Sequence, residues 1–256
     1  MRNIIQAEYK KIFFLTFSKV FLTFTIGISL LIGVIFAVTT NVTQGTAITD
    51  LSVMEVVSAN MLGVDLASIL LIIFTALTIS REFTAETIYT SLAAVPNRKK
   101  LFLGKYLIFF LLSIAMSVLI VALTYLSSQL ILMANNMSFA SLADSDIRQF
   151  VFGVLLMPIF YCLLTVAATI LFKNSGGGIA FSIIILAIPA LIQMFPDSLQ
   201  KIFLPLLPQS AIHSLSGTAG AESFEATDAI TSMGILIIWL VITSVIAIFS
   251  FQKRDF

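Results

Sequence analysis

The sequence is dominated by six strongly apolar stretches, each about long enough to cross a lipid bilayer. A crossing needs about 20 apolar residues, because the hydrocarbon layer is about 30 Å thick and a helix rises about 1.5 Å per residue. Hydrophobic residues make up 59% of the 256 residues and charged residues only 11%, which is more apolar surface than a soluble domain can bury. We therefore expect an all-α, polytopic membrane protein with six transmembrane helices, which cross at about 20–38, 61–80, 106–133, 150–172, 177–195 and 231–251.

The spans leave no room for a separate soluble domain, so residues 1–256 are expected to form a single transmembrane domain. Spans 1 and 2 lie within 20–80, spans 3 to 5 within 106–195, and span 6 with its tail within 231–256. The first span is interpreted as retained, because its apolar core is too long for a signal peptide and no small-x-small cleavage site follows.

Lysine and arginine residues are distributed unevenly between the predicted loops. Twelve of the fourteen lie before span 1, between spans 2 and 3, after span 4 or after span 6, and only Arg148 and Lys201 lie in the other loops. Cytoplasmic loops retain lysine and arginine. Both termini are therefore expected in the cytoplasm, and an even number of spans also requires them to share one side.

Residues 1–19 have the pattern of an amphipathic helix. Ile5, Tyr9, Ile12 and Phe13 recur at helical spacing, while the basic residues face elsewhere. A basic amphipathic helix before a span is typical of one that lies in the membrane interface. An interfacial elbow helix is predicted here, and a simple anchor is the alternative.

The outer segment 196–230 is also more than a plain loop. Its first half is apolar and is broken by Pro205 and Pro208, which predicts short helices that re-enter the outer leaflet before span 6. Non-helical backbone at that depth is tolerated only where protein or water satisfies its polar groups. An external cap without any role in gating is the alternative.

Residues 81–105 form a sizeable connection that is both dense in charge and helix-prone. Glu82 and Glu86 share a helix face near the predicted amino-terminal end, where carboxylates are favoured. Ile88 and Leu92 form an apolar stripe at the same spacing, and a proline then ends the helix before a basic turn. Because such a short helix is unstable alone in water, we expect packing against the spans or against another protein to stabilise it.

This connection resembles the cytoplasmic loop of the ABC-2-type permeases, the membrane subunits of many bacterial ATP-driven exporters of small peptides, drugs or phenol-soluble modulins. In that loop an acidic residue is followed by a short helix, a leucine, a proline, a basic turn and a Gly-Lys pair that opens span 3. The matching positions are Glu82, Thr87, Ile88, Leu92, Pro96, Arg98, Lys99, Gly104 and Lys105. Glu86 departs from the family, which often has glycine there. The amino-terminal helix, the spans and the segment before span 6 resemble the family more loosely.

The resemblance implies that a coupling helix in this loop sits in a cleft of an ATP-binding subunit. The residues that would make this contact are Glu82, Phe83, Glu86, Thr87, Ile88, Tyr89, Leu92, Pro96, Asn97 and Arg98. It also implies two copies of the ATPase and a second permease subunit, the same or related, in a bacterial plasma membrane. ATP and magnesium would be bound by the partner, and no cofactor by this chain.

Motifs for catalysis and cofactor binding are missing from the sequence. It contains neither G-x-x-x-x-G-K-[ST] nor H-E-x-x-H, and Gly176–Gly178 are interpreted as a flexible or closely packed entry to span 5. His213 has no obvious ligand set, and Cys162 lies inside an apolar run. No catalytic residue, metal site or nucleic-acid partner is expected, so the chain is not expected to be an enzyme.

Three residues inside the spans are candidates for a substrate pathway: Asp65, near the outer end of span 2, and Pro158 and Pro189 in spans 4 and 5. Intramembrane carboxylates usually face a cavity or a partner, although solvation at the interface is the alternative for Asp65. The expected function is the export of an amphipathic or lipophilic cargo, a peptide or a drug. The alternatives are an ion- or proton-coupled carrier or channel without an ATPase, an intramembrane enzyme, and an immunity subunit that binds a peptide without moving it.

Overall fold

The part of the chain that the structure describes is built from helices and contains no strand. The computed structural model describes residues 2–40, 45, 47–84, 97–220 and 223–253. Its helices are α1 (Arg2–Phe14), α2 (Thr16–Val38), α3 (Val53–Thr84), α4 (Arg98–Ala134), α5 (Ser145–Phe172), α6 (Ser175–Ile192), α7 (Asp197–Phe203), α8 (Pro208–Ser216) and α9 (Ala229–Lys253). Short 3₁₀ turns occur at Ile48–Asp50 and Leu204–Leu206.

Six of these helices, α2 to α6 and α9, are long and apolar enough to cross a membrane. For the described residues, the prediction of an all-α fold is confirmed, and so is the prediction of six helices with the length and composition of membrane spans. Their ends differ from the prediction, because α3 begins at Val53 and α4 at Arg98. Residues 81–84 therefore belong to α3 and residues 98–105 to α4. The connection between these two helices is shorter at both ends than the predicted 81–105.

Capping residues explain where these helices begin. Ser52 and Glu55 form a reciprocal capping box, in which the Ser52 amide donates to the Glu55 carboxylate at 2.7 Å and the Glu55 amide donates to the Ser52 hydroxyl at 3.2 Å. Asn97 accepts from the Lys100 amide at 3.1 Å and so caps α4. Because such caps satisfy the otherwise unpaired amides of the first turn, α3 and α4 extend past the edges of their apolar windows.

The fifth helix lies at the centre of the bundle. α5 contacts α3, α4, α6, α8 and α9, and 67% of its apolar window is buried, against 22% for α2 and 17% for α9. Pro158 is buried inside α5, which continues through it, and Pro189 is buried inside α6. α2 and α9 thus lie at the periphery and leave most of their apolar surface uncovered.

Small residues allow α2 and α3 to approach each other closely. A Cβ atom added to Gly33 would overlap the backbone oxygen of Asn60, and one added to Gly63 would overlap the backbone oxygen of Ser29. The Ser29 hydroxyl donates to the Gly63 carbonyl at 2.6 Å. Close backbone approach at small residues, supported by interhelical hydrogen bonds, is the main way helices associate in lipid.

The bundle has two chemically different ends. The cationic end contains α1, the end of α3, the start of α4 and the end of α9. Ion pairs join α1, α3 and α4, and a hydrogen bond joins α4 to α9. The acidic end contains the start of α3, the start of α5, the residues 193–228 that the structure describes, and the short helices α7 and α8.

The close approach of α2 and α3 predicts a position-dependent effect of the same substitution. Gly33→Leu is expected to destabilise the protein by about 1–3 kcal/mol, because the larger side chain forces the two backbones apart. Gly27→Leu in the same helix is the matched control, since nothing lies within 4 Å of a Cβ at that position. Thermal unfolding in detergent micelles measures both, and equal midpoints for the two variants would contradict this account of the interface.

Candidate functional site

Four charged side chains form a cluster at the cationic end, where α3 ends and α4 begins. The Lys105 ammonium of α4 lies 2.9 Å from the Glu8 carboxylate of α1 and 2.5 Å from the Glu82 carboxylate of α3. Lys11 lies 3.2 Å from Glu8 and 3.6 Å from Glu82. We call Glu8, Lys11, Glu82 and Lys105 the four-charge cluster, and it connects three helices.

The electrostatics of the four-charge cluster are those of a buried, balanced network. Two carboxylates face two ammonium groups, and the side chains of Glu8 and Lys105 are each only 5% exposed. Burial alone would raise the pKa of Glu8, but the attraction of Lys105 and Lys11 outweighs it and holds that pKa below the ordinary value. Burial would likewise lower the pKa of Lys11, and the carboxylates Glu8 and Glu82 raise it instead.

One atom of the four-charge cluster has no partner among the described residues. The Oε2 atom of Glu82 is buried and accepts no hydrogen bond there. An unpaired buried carboxylate oxygen is costly, and this one lies three residues before the 85–96 segment. Apolar side chains that include Phe83, Phe102 and Phe251 surround the Glu82–Lys105 pair.

The local sequence explains how α1 reaches the cluster. Leu15 has an extended backbone, with φ −72° and ψ 127°, and separates α1 from α2. Ile12 is fully buried against the bundle. Tyr9 is 47% exposed and stacks on Phe13. The position that faces the bundle one turn before Ile12 is the charged Glu8.

The predicted coupling residues fall into two groups. Glu82 belongs to the four-charge cluster, Phe83 is half-buried against the core, Asn97 caps α4, and Arg98 donates to the carbonyl oxygens of residues 251 and 252 at 3.0 and 3.3 Å. Arg98 thereby ties the start of α4 to the end of α9. The others, Glu86, Thr87, Ile88, Tyr89, Leu92 and Pro96, lie outside the described residues.

A second polar feature is a cavity of about 400 Å³ at the acidic end. One face each of α3, α5 and α8 lines it, at the i, i+3, i+4 and i+7 spacing of helical neighbours. The lining includes Ser58, Leu62, Asp65, Phe150, Val154, Met157, Gln209, His213 and Ser216. α8 can pack so closely on α5 because Gly153 faces Ser216, where a Cβ atom would overlap the Ser216 backbone.

A chain of hydrogen bonds holds the α8 wall of this cavity. Tyr161 donates to the Gln209 Oε1 atom at 3.0 Å, and the Gln209 amide donates to the His213 Nε2 atom at 3.0 Å. The His213 Nδ1–H group then donates to Glu225 at 2.9 Å, and Gln193 donates to the same carboxylate at 2.7 Å. The hydrogen bond from His213 is the main reason why the pKa of Glu225 lies below its ordinary value.

One of the three predicted pathway residues lies at the cavity, and the other two do not. Asp65 faces the cavity, whereas Pro158 and Pro189 are buried within their helices and do not line it. His213 does not stand alone in the outer segment, because Gln209 and Glu225 both contact its ring. Among the described residues, no three metal-ligating side chains come together.

Sequence reasoning missed Glu8 and Glu225. The Glu8–Lys11 spacing of three residues was a visible local signal, but the partner Lys105 lies 97 residues away. A comparison with models of known protein families and with curated proteins finds no match to this chain.

Removing the central cation of the four-charge cluster should destabilise the protein strongly. In Lys105→Met two carboxylates stay buried near a single half-exposed lysine, and breaking a buried charge pair costs about 3–5 kcal/mol. Lys100→Met in the same helix is the matched control, because that side chain is exposed. Thermal unfolding in micelles measures both, and a Lys105→Met midpoint equal to that of Lys100→Met would show that the cluster does not stabilise the fold.

The lowered pKa of Glu8 predicts a pH dependence with a definite sign. A carboxylate whose pKa is lower in the folded protein stabilises it above the unfolded pKa, and this stabilisation disappears as the pH falls through the folded pKa. The unfolding midpoint of the unchanged protein should therefore exceed that of Glu8→Gln at pH 7, and the gap should narrow below about pH 4.5. Asp50→Asn, at an exposed position, should show no such gap, and a pH-independent gap for Glu8→Gln would contradict the prediction.

Proposed function

We propose that this chain is the membrane subunit of an ATP-driven exporter of the ABC-2 type. In this proposal a separate ATP-binding subunit, present in two copies, binds ATP and magnesium and contacts the 85–96 segment. The cargo is amphipathic or lipophilic, a peptide or a drug, and the chain itself catalyses no reaction.

The four-charge cluster is the observation that carries the proposal. It joins α3 and α4, the two helices that flank the 85–96 segment, and attaches both to α1. A force applied to that segment would therefore displace three helices together, because separating any pair would leave a buried charge without its partner. This is the mechanical property that a membrane subunit driven by an external motor requires.

The position of the segment 204–209 supports a re-entrant segment before the last span. The Trp239 indole donates to the Leu206 carbonyl at 2.9 Å, and Trp239 lies about 15 Å along α9 from its first residue at 1.5 Å per residue. Gln209 contacts Tyr161, about 24 Å along α5 from the acidic end. This segment therefore reaches far down the bundle, and Trp239 satisfies one of its carbonyl groups, which lipid could not do.

The charge distribution supports an orientation with the cationic end in the cytoplasm. Lysine and arginine residues of α1, α3, α4 and α9 lie at that end, and such residues are retained on the cytoplasmic side. We infer that both termini face the cytoplasm of a bacterial cell, that the chain is a multi-pass protein of the plasma membrane, and that α1 is an elbow helix at the inner interface.

The uncovered surface of α9 supports a second permease subunit, identical or related. Ile237, Ile238, Val241, Ile242, Val245, Ile246 and Phe249 are exposed along it. A single six-span chain has few helices with which to enclose a pathway, and pairing would bury part of this surface. Lipid covers whatever remains.

The proposal predicts that an ATPase co-purifies with the affinity-tagged chain and that this association depends on the 85–96 segment. ATP hydrolysis that vanadate inhibits is measured in the purified complex. Leu92→Asp is expected to lower this ATP hydrolysis at least fivefold without changing the amount of chain in the membrane, because a charge replaces an apolar residue of the proposed contact.

Lys201→Glu is the matched control, because it changes a charge in α7 at the acidic end and should leave ATP hydrolysis unchanged. The proposed function is refuted if no ATPase accompanies the chain, or if Leu92→Asp and Lys201→Glu retain it equally.

A further inference from the structure

We propose that the cavity at the acidic end binds a small amphipathic cation, an alkylammonium group attached to an apolar body, and that Asp65 pairs with the ammonium group. The inference names the chemical class of the cargo and rests on the proposed function only for the statement that the bound molecule is transported.

The charge of the cavity selects a cation. Among the described residues, its lining contains the carboxylates of Glu55 and Asp65 and neither lysine nor arginine. A carboxylate inside a spanning helix is expensive and usually faces a cavity or a partner. An anionic ligand would meet only repulsion from these two groups.

The hydrogen bonds of the cavity leave Asp65 available to a ligand. Glu55 is exposed, and its Oε2 atom accepts from the Ser52 amide and hydroxyl, each at 2.7 Å. His213 is occupied on both ring nitrogens by Gln209 and Glu225. Among the described residues, the Asp65 carboxylate receives no hydrogen bond, although it lies near enough to His213 to be attracted by a charge on its ring. Asp65 is thus the unpaired ionisable group of the lining.

The remaining walls suit the apolar part of such a molecule. Met61, Leu62 and Met157 supply flexible apolar surface, and the buried ring of Phe150 supplies aromatic surface. An aromatic face attracts an alkylated ammonium group, especially where water is excluded. A volume of about 400 Å³ is in the range of about 300–1,000 Å³ that small-molecule pockets occupy.

The test is the binding of a defined probe to the purified chain in nanodiscs of zwitterionic lipid, without any ATPase. The probe is tritiated 4-phenylbutyltrimethylammonium, and the competitor is its neutral isostere with a tert-butyl group in place of the trimethylammonium group. We expect the neutral isostere to compete at least tenfold more weakly than the unlabelled cation, because it cannot pair with a carboxylate.

Substitution of the carboxylate is the second arm of the test. Asp65→Asn should weaken binding of the cation at least tenfold, and Asp144→Asn should leave it within twofold. Asp144 is a suitable control because it lies at the same end, caps α5, and is replaced by another capping residue. Equal affinity of the unchanged chain and folded Asp65→Asn, or equal competition by the neutral isostere, overturns the inference.

A thiol probe keeps the inference testable if Asp65→Asn does not fold. Ser58→Cys places a thiol on the cavity wall, while the natural Cys162 is buried and unreactive. A cationic methanethiosulfonate reacts faster than an anionic one with any thiolate, so the ratio of the two rates is compared with the ratio for a free small thiol in the same buffer. For the trimethylammonium-bearing and sulfonate-bearing reagents this ratio should be at least fivefold larger at Ser58→Cys, and the tritiated cation should slow the reaction of the trimethylammonium reagent. A ratio equal to that of the free thiol, or no protection, overturns the inference.

The two proposals can fail separately. Binding of the cation is measured without an ATPase, so a loss of ATPase association refutes the exporter and leaves the cavity site intact. Absence of cation binding, with a vanadate-sensitive ATPase still attached, refutes the site and leaves the exporter intact.

Discussion

A lipid bilayer offers no hydrogen bonds, so each polar group that the chain carries into it needs a partner within the protein. The structure meets part of this demand with short contacts between helices. Asn60 of α3 donates to the Thr124 carbonyl and the Ser128 hydroxyl of α4, and Ser117 of α4 donates to the Leu155 carbonyl of α5. Since apolar side chains gain little by leaving lipid for one another, these polar contacts and the glycine approaches set the relative positions of the helices.

The two ends of the bundle satisfy the same demand differently. At the cationic end, the two carboxylates and two ammonium groups of the four-charge cluster neutralise one another and close the space between α1, α3 and α4. At the acidic end, Glu225 and His213 hold α8 in place, and the Asp65 carboxylate is left facing a cavity. A closed, paired network suits transmission of force, and an open site with an unpaired charge suits recognition of a ligand, so this asymmetry fits the two roles we propose.

How much the sequence predicts depends on the range of the interaction. The spans follow from composition, because any run of about 20 apolar residues must be covered by lipid or protein. The helix ends were also readable, since Ser52 with Glu55 and Asn97 are local capping signals that hydropathy windows ignore. The pairing of Glu8 with Lys105 was not readable, because helix packing alone brings residues 97 positions apart into contact. The same holds for Asp65, whose cavity exists only once α8 has packed against α3 and α5.

The helix α3 connects the two sites physically. It carries Asp65 in the cavity and Glu82 in the four-charge cluster, and their separation of 17 residues corresponds to about 26 Å of continuous helix. A helix held by hydrogen bonds along its whole length moves as one body, so a displacement of Glu82 by a motor at the cationic end would move the wall that carries Asp65. Coupling of this kind requires two stable arrangements of α3. The close contacts of Gly33 with α3 and of Gly63 with α2 define one of them. In the proposed exporter, a second arrangement would move Asp65 away from the α8 wall and so weaken the binding of the cation.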